Sequence, residues 1–384
     1  MAKLIPYGRQ FVDRLDILEV TRALKKDLIT TGSYVSRVEN SFKNFFNSKF
    51  SLICNNGTSA LFIALKAIGV KSGDVIIAPA INFVALNNVA LLLNLKCYLA
   101  DIEIRSGQIS FATVQECIKV NKLKKIKAIC PMFLGGNVAN IKDIVKLKSL
   151  YKCFIIEDAC HALGSSYVFR NKKYKVGQCA HSDISTFSLH PVKTITSGEG
   201  GIVSTNSKGL YEKMRIVRNH GMIVDKYSIN KKYNIIVNSL NFRLSDINCA
   251  LAYSQLKKIK KFVKKRNSIA SFYNDKTKHM MQYFTSLVKT NLSHSSWHLY
   301  QIILSERFQD QRDNLMNFFL KRKIITQVHY LPIYKHSIFK KLKIKNLRNS
   351  RVFSERVISL PIFYQLNKKN QERVVATLID FFKK

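Results

Sequence analysis

Acidic residues are scarce in this chain, and their scarcity dominates its charge. Its 384 residues include 24 Asp and Glu against 63 Lys and Arg, so the formal net charge is +39. Such an excess attracts nucleic acids, anionic membranes or phosphorylated substrates. The basic residues are spread along the chain rather than gathered in one tail, which is also what a lysine-rich composition imposed by an AT-rich genome produces. The charge by itself therefore identifies no partner.

Long apolar runs are missing as well. The most apolar segment, residues 83–100, is interrupted by Asn87, Asn88, Asn94 and Lys96. It therefore falls short of the roughly 20 apolar residues that a membrane-spanning helix needs. The first residues, MAKLIPYGRQFVDRLD, contain no apolar core of signal-peptide length. The sequence predicts a soluble, cytoplasmic protein that does not act at a membrane.

The cysteines lack the spacing of a metal site. Eight of them are scattered through the chain, with no CxxC pair and no Cys/His cluster. In a chain of this length, the pattern predicts reduced, mostly buried thiols rather than a disulfide framework or a zinc site. We therefore expect no metal.

Apolar segments of two kinds alternate through the first two-thirds of the chain. Short β-branched runs that read as strands are FSLIC (50–54), DVIIAP (74–79), KAICPMF (127–133), CFIIEDA (153–159) and DISTFS (183–188). Segments that read as helices are GTSALFIALKAIGV (57–70), FVALNNVALLLN (83–94) and IKDIVKLKSLY (141–151). This alternation predicts an α/β fold with a mostly parallel sheet and helices on both faces.

The pattern changes after about residue 245. A long basic amphipathic helix is predicted for residues 246–274. Strands and helices of a smaller α+β domain are predicted after it, at residues 298–304, 312–322, 324–330 and 371–384. No Gly/Ser-rich or Pro-rich linker marks a boundary, so the long helix joins the two parts. We predict a large domain of residues 1–250 and a small C-terminal domain of residues 251–384.

The segment CNNGTSA (54–60) lies between a predicted strand and a predicted helix. A helix N-terminus offers unpaired N–H groups and the positive end of the helix dipole, so Gly57, Thr58 and Ser59 could hold a phosphate. The same residue types also cap helices for structural reasons. Both interpretations remain open at this position.

Two further segments carry polar residues to the same predicted sheet edge. CFIIEDA ends in Glu157 and Asp158, and a carboxylate there can hold a ring nitrogen in its protonated form, although a helix cap or a salt bridge would explain it too. DISTFS brings Ser188 and Lys193 near this edge, ahead of the glycine-rich turn TSGEGG. A Schiff-base lysine must be neutral, so its site must lower its pKa. Taken singly, Lys193 is better explained as one of many solvated lysines.

Together, the three segments supply what pyridoxal 5′-phosphate (PLP) requires: a phosphate anchor, a partner for the pyridine nitrogen and an amine for the Schiff base. At this point the sequence resembles the DegT/DnrJ/StrS family of PLP-dependent sugar aminotransferases. The resemblance covers nearly the whole chain through NNGTSAL, IEDACHALGSSY, FSLHPVKTITSGEGG, RNHGM, NFRLSDINCAL and QVHYLPIY. QVHYLPIY and SSWHLY are most similar to the branch that aminates UDP-4-keto-6-deoxy-N-acetyl-hexosamines on the way to pseudaminic acid. The family has fold type I, with a mostly parallel large domain and a smaller α+β domain.

The resemblance implies roles for the motif residues. Lys193 would form the Schiff base with PLP and then shuttle a proton. Asp158 would pair with the pyridinium nitrogen. Thr58, Ser59 and Ser188 match the phosphate-binding positions.

Three other positions match cofactor contacts of the family. Phe83 matches the aromatic residue that stacks on the ring, and His161 matches the residue beside the 3′-oxygen. Asn241 matches an asparagine that reaches a cofactor phosphate in the partner subunit, so the resemblance implies a homodimer with shared active sites. Without the family, Phe83 could be a core aromatic residue, His161 a strand-end histidine and Asn241 a turn residue.

The resemblance also points to substrate contacts. His329 and Tyr330 correspond to the sugar pocket, and Thr31 and Gly32 to a substrate loop. A buried His–Tyr pair that packs against Pro332, and an N-cap of the helix that follows Gly32, are the respective alternatives.

The resemblance implies a transaminase that moves an amino group from L-glutamate to C4 of a nucleotide-linked 4-keto-6-deoxy sugar, for surface glycan biosynthesis. One alternative is a pyridoxamine-phosphate-dependent sugar 3-dehydratase of the same family; those relatives carry a histidine in place of the lysine, so Lys193 favours amino transfer. The other is a basic nucleic-acid-binding protein on this scaffold. No helix-turn-helix or RNA-binding signature is present, so we expect no nucleic-acid partner.

Overall fold

The computed structural model describes residues 3–224, 233–287, 293–340 and 345–383. Its α-helices are α1 (Arg14–Leu24), α2 (Ser33–Phe46), α3 (Gly57–Ala67), α4 (Ala85–Leu92), α5 (Phe111–Val120), α6 (Ile141–Tyr151), α7 (Lys208–Arg218), α8 (Asp246–Thr277), α9 (Arg312–Lys321), α10 (Arg348–Arg356) and α11 (Lys368–Phe382). Its strands are β1 (Phe50–Cys54), β2 (Val75–Pro79), β3 (Lys96–Ala100), β4 (Ala128–Ile129), β5 (Phe154–Asp158), β6 (Ser166–Phe169), β7 (Lys172–Lys175), β8 (Ile184–Ser188), β9 (Gly201–Thr205), β10 (Met222–Val224), β11 (Tyr233–Ile235), β12 (Phe284–Ser286), β13 (Ser293–His294), β14 (Tyr300–Leu304) and β15 (Val357–Leu360).

A seven-stranded sheet with the order β1-β9-β8-β5-β4-β2-β3 forms the centre of the fold. From β8 to β3, all neighbouring strands are parallel. Strand β9 pairs antiparallel with both β8 and β1. The sheet is therefore mostly parallel, and this part of the prediction is confirmed.

Helices cover both faces of this sheet. Ile77 and Ile155 pack in the core beneath α2, α5, α6 and α8, whereas Ile76 and Ile156 pack in the core beneath α3, α4 and α7. Successive side chains of a strand point to opposite faces, so a strand that is apolar throughout must be covered on both. The continuous apolar runs of β2 and β5 thus explain the layered α/β architecture.

Helix α8 confirms the predicted long helix. It begins after the N-cap Ser245, whose Oγ accepts a hydrogen bond of 3.3 Å from Asn248 N. Its N-terminal half packs Ile259 against the core of the central sheet, and its C-terminal half packs Tyr273 in a separate core beneath β14 and β15. Because α8 crosses the predicted boundary at residue 250, the division into residues 1–250 and 251–384 stays a prediction.

Two predicted strands differ from the structure. The segment 324–330 forms only isolated bridges, Ile324 with Ile5 and Gln327 with Ser359, because it changes partners after a few residues and never builds a ladder. That strand prediction is wrong. In the segment 127–133, strand β4 contains only Ala128–Ile129. Pro131 has no N–H to donate, so the regular ladder stops there, and beyond it only an isolated parallel bridge between Met132 and Asp158 continues the pairing.

The described residues contain no helix that is long and apolar enough to cross a membrane. The eight cysteines are free thiols, and all except Cys97 and Cys160 are buried. Burial raises the pKa of Cys54 to about 12, so this thiol stays protonated at neutral pH.

Candidate active site

A cavity of about 430 Å³ opens at the carboxyl ends of β5 and β8, beside the N-terminus of α3. Nine predicted site residues line it: Gly57, Thr58, Phe83, Asp158, His161, Ser188, Lys193, His329 and Tyr330. The other lining residues are Tyr7, Asn56, Leu61, Ala85, Met132, Cys160, His190, Val192, Glu199 and His298. The structure therefore brings together side chains that are more than 300 positions apart in the sequence.

The N-terminus of α3 forms one end of the cavity. Asn56 caps the helix, and its Oδ1 accepts a hydrogen bond of 2.8 Å from Ser59 N. Ser59 is buried and does not line the cavity. Gly57 and Thr58 contribute the first N–H groups of the helix, which no carbonyl of the helix can accept. A Cβ atom at Gly57 would lie 2.9 Å from Ser188 Cβ, so glycine allows α3 to approach β8 this closely.

The two carboxylates at the end of β5 face opposite sides of the sheet. Asp158 lines the cavity, and its Oδ1 accepts a hydrogen bond of 3.2 Å from Cys160 N. Burial raises the pKa of Asp158, while hydrogen bonds from Cys160 and the charge of Lys193 oppose the rise. Glu157 accepts a hydrogen bond from Ser185 Oγ on the other side, and burial raises its pKa to about 7. Asp158 is therefore the carboxylate that a ligand can reach.

Replacing Glu157 with glutamine is expected to stabilise the protein at neutral and alkaline pH. A carboxyl whose pKa rises from 4.5 to about 7 on folding binds its proton more tightly in the folded state. The stability of the native protein therefore falls as the pH rises from about 4.5 to about 7, by about 3 kcal/mol in total. Glutamine removes this loss. Urea unfolding of the wild type and of Glu157→Gln at pH 5 and pH 8 measures the free energy of unfolding of each protein. If the variant differs from the wild type by the same amount at both pH values, the prediction is contradicted.

The loop after β8 turns Lys193 into the cavity. Lys193 N donates a hydrogen bond of 2.9 Å to His190 O, which tightens the turn, and Gly198 further along has a φ of +80°. Burial lowers the pKa of Lys193, although Cys160 and Asp158 nearby oppose this effect. Lys193 is therefore distinguished from the many exposed lysines by a larger neutral fraction at a given pH.

Uncharged hydrogen-bonding groups form another wall of the cavity. Gly135 N donates a hydrogen bond of 3.3 Å to His161 Nδ1, so the neutral ring carries its proton on Nε2 and donates it to Tyr330 Oη, 2.9 Å away. Burial lowers the pKa of His161 and His298 far below the ordinary range, and lowers that of His329 to about 3. All three imidazoles are thus neutral at neutral pH.

The remaining predicted site residues lie outside this cavity. Gly32 precedes α2, and its N–H donates a hydrogen bond of 2.8 Å to Asp246 Oδ2. Thr31 is exposed and has a φ of +58°, which is strained for a β-branched residue. Asn241 is exposed, and its Oδ1 accepts a hydrogen bond of 3.0 Å from Arg243 N. Within one chain, these three residues do not meet Lys193.

Several lining residues were not predicted from the sequence. Asn56 and Cys160 stand inside recognised motifs, and the position of Asn56 directly before a predicted helix is a signal for a helix cap. Glu199 lies in FSLHPVKTITSGEGG and His298 in SSWHLY, although no role was assigned to either, whereas Tyr7 carries no local signal. Tyr7 and His298 reach the cavity from segments far from the central strands.

The residues of the cavity fit PLP. The volume falls within the roughly 300–1,000 Å³ of small-molecule sites. One end offers the N-terminus of α3 for a phosphate, and the buried carboxylate of Asp158 and the amine of Lys193 face the same space. A Cβ atom at Gly57 would crowd the phosphate end. The fold and the site together define a PLP-dependent enzyme of fold type I.

Comparison with known proteins gives the family. The sequence profile of the DegT/DnrJ/EryC1/StrS aminotransferase family matches residues 11–379, and the chain belongs to this family of PLP-dependent aminotransferases. It is 36% identical to a UDP-4-amino-4,6-dideoxy-N-acetyl-beta-L-altrosamine transaminase of Campylobacter jejuni, over 99% of this chain and 98% of the relative. It is 33% identical to a GDP-perosamine synthase of Vibrio cholerae, over 91% of each chain.

A solved structure agrees with this assignment. PseC of Helicobacter pylori, an aminotransferase involved in the biosynthesis of pseudoaminic acid, superimposes with a TM-score of 0.90 at 31% identity. The match covers 99% of this chain and 100% of that chain. The protein is therefore an aminotransferase that uses PLP.

Proposed function

We propose that the enzyme transfers an amino group from L-glutamate to C4 of a UDP-linked 4-keto-6-deoxy-N-acetyl-hexosamine, in the biosynthesis of a surface glycan of the pseudaminic acid type. The observation that carries the proposal is one cavity that joins Lys193 and Asp158 to the neutral groups His329 and Tyr330. The whole-length relatives from Campylobacter jejuni support the choice of substrate.

The cavity residues divide the chemistry between them. When bound, PLP supplies an electron-withdrawing ring and a carbonyl that exchanges with the amino group. Asp158 would hold a proton on the ring nitrogen, because burial disfavours its charged carboxylate and a protonated nitrogen beside it would offset that cost. Lys193 Nζ moves protons as a neutral amine, which its lowered pKa permits. Gly57, Thr58 and Ser188 bind the phosphate.

The other predicted contacts position the ring and the sugar. Phe83 lines the cavity with about half of its surface exposed, so its ring is accessible for stacking on a cofactor. Its ring centroid lies 5.9 Å from that of Tyr330. His161 donates to Tyr330 Oη, so the Tyr330 hydroxyl proton is left to donate to a ligand. His329 shares a hydrogen bond of 2.8 Å with Ser359 Oγ, which orients its ring.

We also propose that the enzyme is a homodimer whose partner subunit completes the site. Exposed apolar side chains accumulate where Thr31 and Asn241 lie: Leu24, Leu28 and Ile29 come before Thr31, and Leu240 comes before Asn241. Apolar surface of this kind is typical of an interface between subunits. Thr31, Gly32 and Asn241 would then contact cofactor or substrate across the interface.

The double replacement of Leu28 and Ile29 with aspartate is expected to convert the dimer into monomers. The two side chains are 60% and 47% exposed in the single chain, so the change disturbs the interface more than the fold. Light scattering after gel filtration reads the mass against 44.1 kDa for one chain. Met281→Asp, at an apolar residue that is 70% exposed elsewhere, is the matched control. A wild-type protein that elutes as a monomer would contradict the proposal.

We place the enzyme in the cytoplasm, where its unpaired cysteines would stay reduced. The 3-dehydratase alternative is disfavoured by Lys193, since those relatives have histidine at this position. The nucleic-acid-binding alternative would leave the cavity and its lysine without a use.

The substrate is tested by a panel assay. The purified holoenzyme is incubated with L-glutamate and with UDP-, dTDP- and GDP-linked 4-keto-6-deoxy sugars, and the products are analysed by mass spectrometry and NMR. We expect a 4-amino product from the UDP-linked N-acetyl sugar at the highest kcat/KM. A preference for the GDP-linked sugar, or loss of the 3-hydroxyl instead of amine transfer, would overturn the proposal.

A further inference from the structure

The segment Ser295–His298 is held rigidly against the wall of the cavity. Arg266, which is fully buried, donates to the carbonyls of Trp297 and His298 at 3.1 and 3.2 Å. Ser296 Oγ donates to His161 O at 3.1 Å, and Ser295 Oγ accepts a hydrogen bond of 3.0 Å from Trp297 N.

The backbone at the centre of this segment is strained. Trp297 has a φ of +50°, a conformation that non-glycine residues adopt rarely. Backbone strain of this kind persists only where the surrounding contacts hold it, and it is found most often at ligand sites. The contacts of Arg266 and the two serines hold the strained turn, and the turn places the next residue, His298, in the cavity wall.

The imidazole of His298 has no hydrogen-bond partner within the described residues. Its Nδ1 is enclosed without a partner, the residue is only 4% exposed, and the ring lines the cavity. The ring packs on that of His161 with centroids 4.2 Å apart. An enclosed N–H without an acceptor is less favourable than an enclosed lone pair, so the proton of the neutral ring belongs on Nε2. The side chain thus carries one donor that the protein leaves unused.

His298 lines the same cavity as His329 and Tyr330, the residues predicted to contact the sugar, and like them it comes from the part of the chain that follows α8. The groups predicted to bind PLP come from the central sheet and the loops after β5 and β8, and one of them, His161, is the residue on which the His298 ring packs. His298 lies two residues before β14, and Gln301 Nε2 in that strand donates a hydrogen bond of 3.0 Å to the carbonyl of His329. The segments that carry His298 and His329 are therefore hydrogen-bonded to each other, and both side chains line the cavity as one layer.

The charge state of the imidazoles of His161, His298 and His329 restricts what they can bind. A diphosphate is bound by cations or by helix N-termini, and three neutral imidazoles offer no positive charge. Burial and the positive charges of Lys193 and Arg266 keep His298 neutral. A neutral N–H donor is suited to a hydroxyl, amide or ketone oxygen of a sugar ring.

We propose that His298 is a specificity-determining residue that donates a hydrogen bond from Nε2 to a neutral oxygen substituent of the keto sugar. This inference rests on the proposed function and extends it to a residue of the SSWHLY segment to which the resemblance assigned no role. His298 does not bind the diphosphate and takes no part in the reaction with the amino donor.

The test separates the two half-reactions of the holoenzyme. His298→Phe keeps an aromatic ring against His161 but removes the donor, and His298→Gln restores an amide N–H near the position of Nε2. We expect His298→Phe to lower kcat/KM for the UDP-linked 4-keto sugar roughly tenfold, with a smaller loss in His298→Gln. The affinity for UDP alone should not change. Trp297, the single tryptophan of the chain, precedes His298, so its fluorescence can report the binding of both ligands.

Controls distinguish this role from packing. His294→Phe makes the same substitution at an exposed residue of β13 and should leave all parameters unchanged. If His298→Phe slows the glutamate half-reaction as much as the sugar half-reaction, or if His298→Gln rescues nothing, the proposal is overturned. If wild-type enzyme reacts with glutamate but aminates no 4-keto sugar nucleotide, the proposed function itself fails, which is a distinct result.

Discussion

Lys193→Ala is expected to abolish amino transfer while the protein remains folded. Lys193 Nζ is the amine that faces the same cavity as Asp158, and its lowered pKa makes the neutral form available. Loss of a positioned proton-transfer group alone slows a reaction by roughly 10²–10⁴-fold. Loss of the covalent attachment of the cofactor adds to this effect. Turnover should therefore fall below detection in an ordinary coupled assay.

Three measurements check this prediction. Borohydride reduction followed by peptide mass spectrometry should find the cofactor on Lys193 in the wild-type protein and on no peptide of the variant. A small primary amine such as methylamine, added to Lys193→Ala, should restore part of the proton transfer. Lys213→Ala, at an exposed residue of α7, is the matched control among the many lysines. Full activity of Lys193→Ala would rule out the assigned role.

The pH dependence of cofactor attachment should follow from the titration of Lys193. Since burial lowers the pKa of Lys193, the cofactor should attach to the apoprotein with a rate that rises with pH and levels off below the ordinary lysine pKa of 10.5. A rate that keeps rising through that value would show that the amine behaves like a solvated lysine.

Asp158→Asn is expected to produce the second largest loss of activity. Asparagine has nearly the same shape and can still accept the hydrogen bond from Cys160 N. It carries no charge, so it cannot hold a proton on the ring nitrogen. Removal of one preorganised electrostatic group from an active site typically costs roughly 10²–10³-fold in kcat. We expect a loss of this size in both half-reactions, because the ring acts as the electron sink in both.

The stability of Asp158→Asn should not fall with its activity. Burial raises the pKa of Asp158, so the charged form is disfavoured in the apoprotein and asparagine removes that penalty at neutral pH. Urea unfolding of the apoprotein should therefore show an equal or higher midpoint for Asp158→Asn. Glu157→Gln is the matched control, because it removes the neighbouring carboxylate of the same strand on the other face of the sheet. It should keep full activity. If both variants lose activity equally, a general disturbance of β5 and not the ring partner would be the cause.

Much of the fold could be predicted because its signals are local. The strands at 50–54 and 154–158 and the helix at 141–151 are short apolar segments whose periodicity needs no distant partner. The predicted strand at 324–330 failed because its residues have the composition of a strand but no continuous neighbour. The β6–β7 hairpin, rich in lysine, shows too little hydrophobic alternation to be recognised.

Some features of the site follow from local sequence, and others depend on contacts between distant segments. The sequence by itself determined the order of the cofactor motifs. Gly57, Asp158 and Ser188 each stand at the end of a strand or the start of a helix, and Lys193 lies in the loop that follows β8, so the topology of the sheet brings them to one edge. Which of the two adjacent carboxylates meets the cofactor was implied by the resemblance, and the tertiary structure agrees with it because Asp158 lines the cavity. Only the tertiary structure decided that His298 and Tyr7 share a cavity with Lys193. The physical reason is that the direction of a side chain at a strand end follows from local geometry, whereas contacts between distant segments depend on how the part after α8 packs on the central sheet.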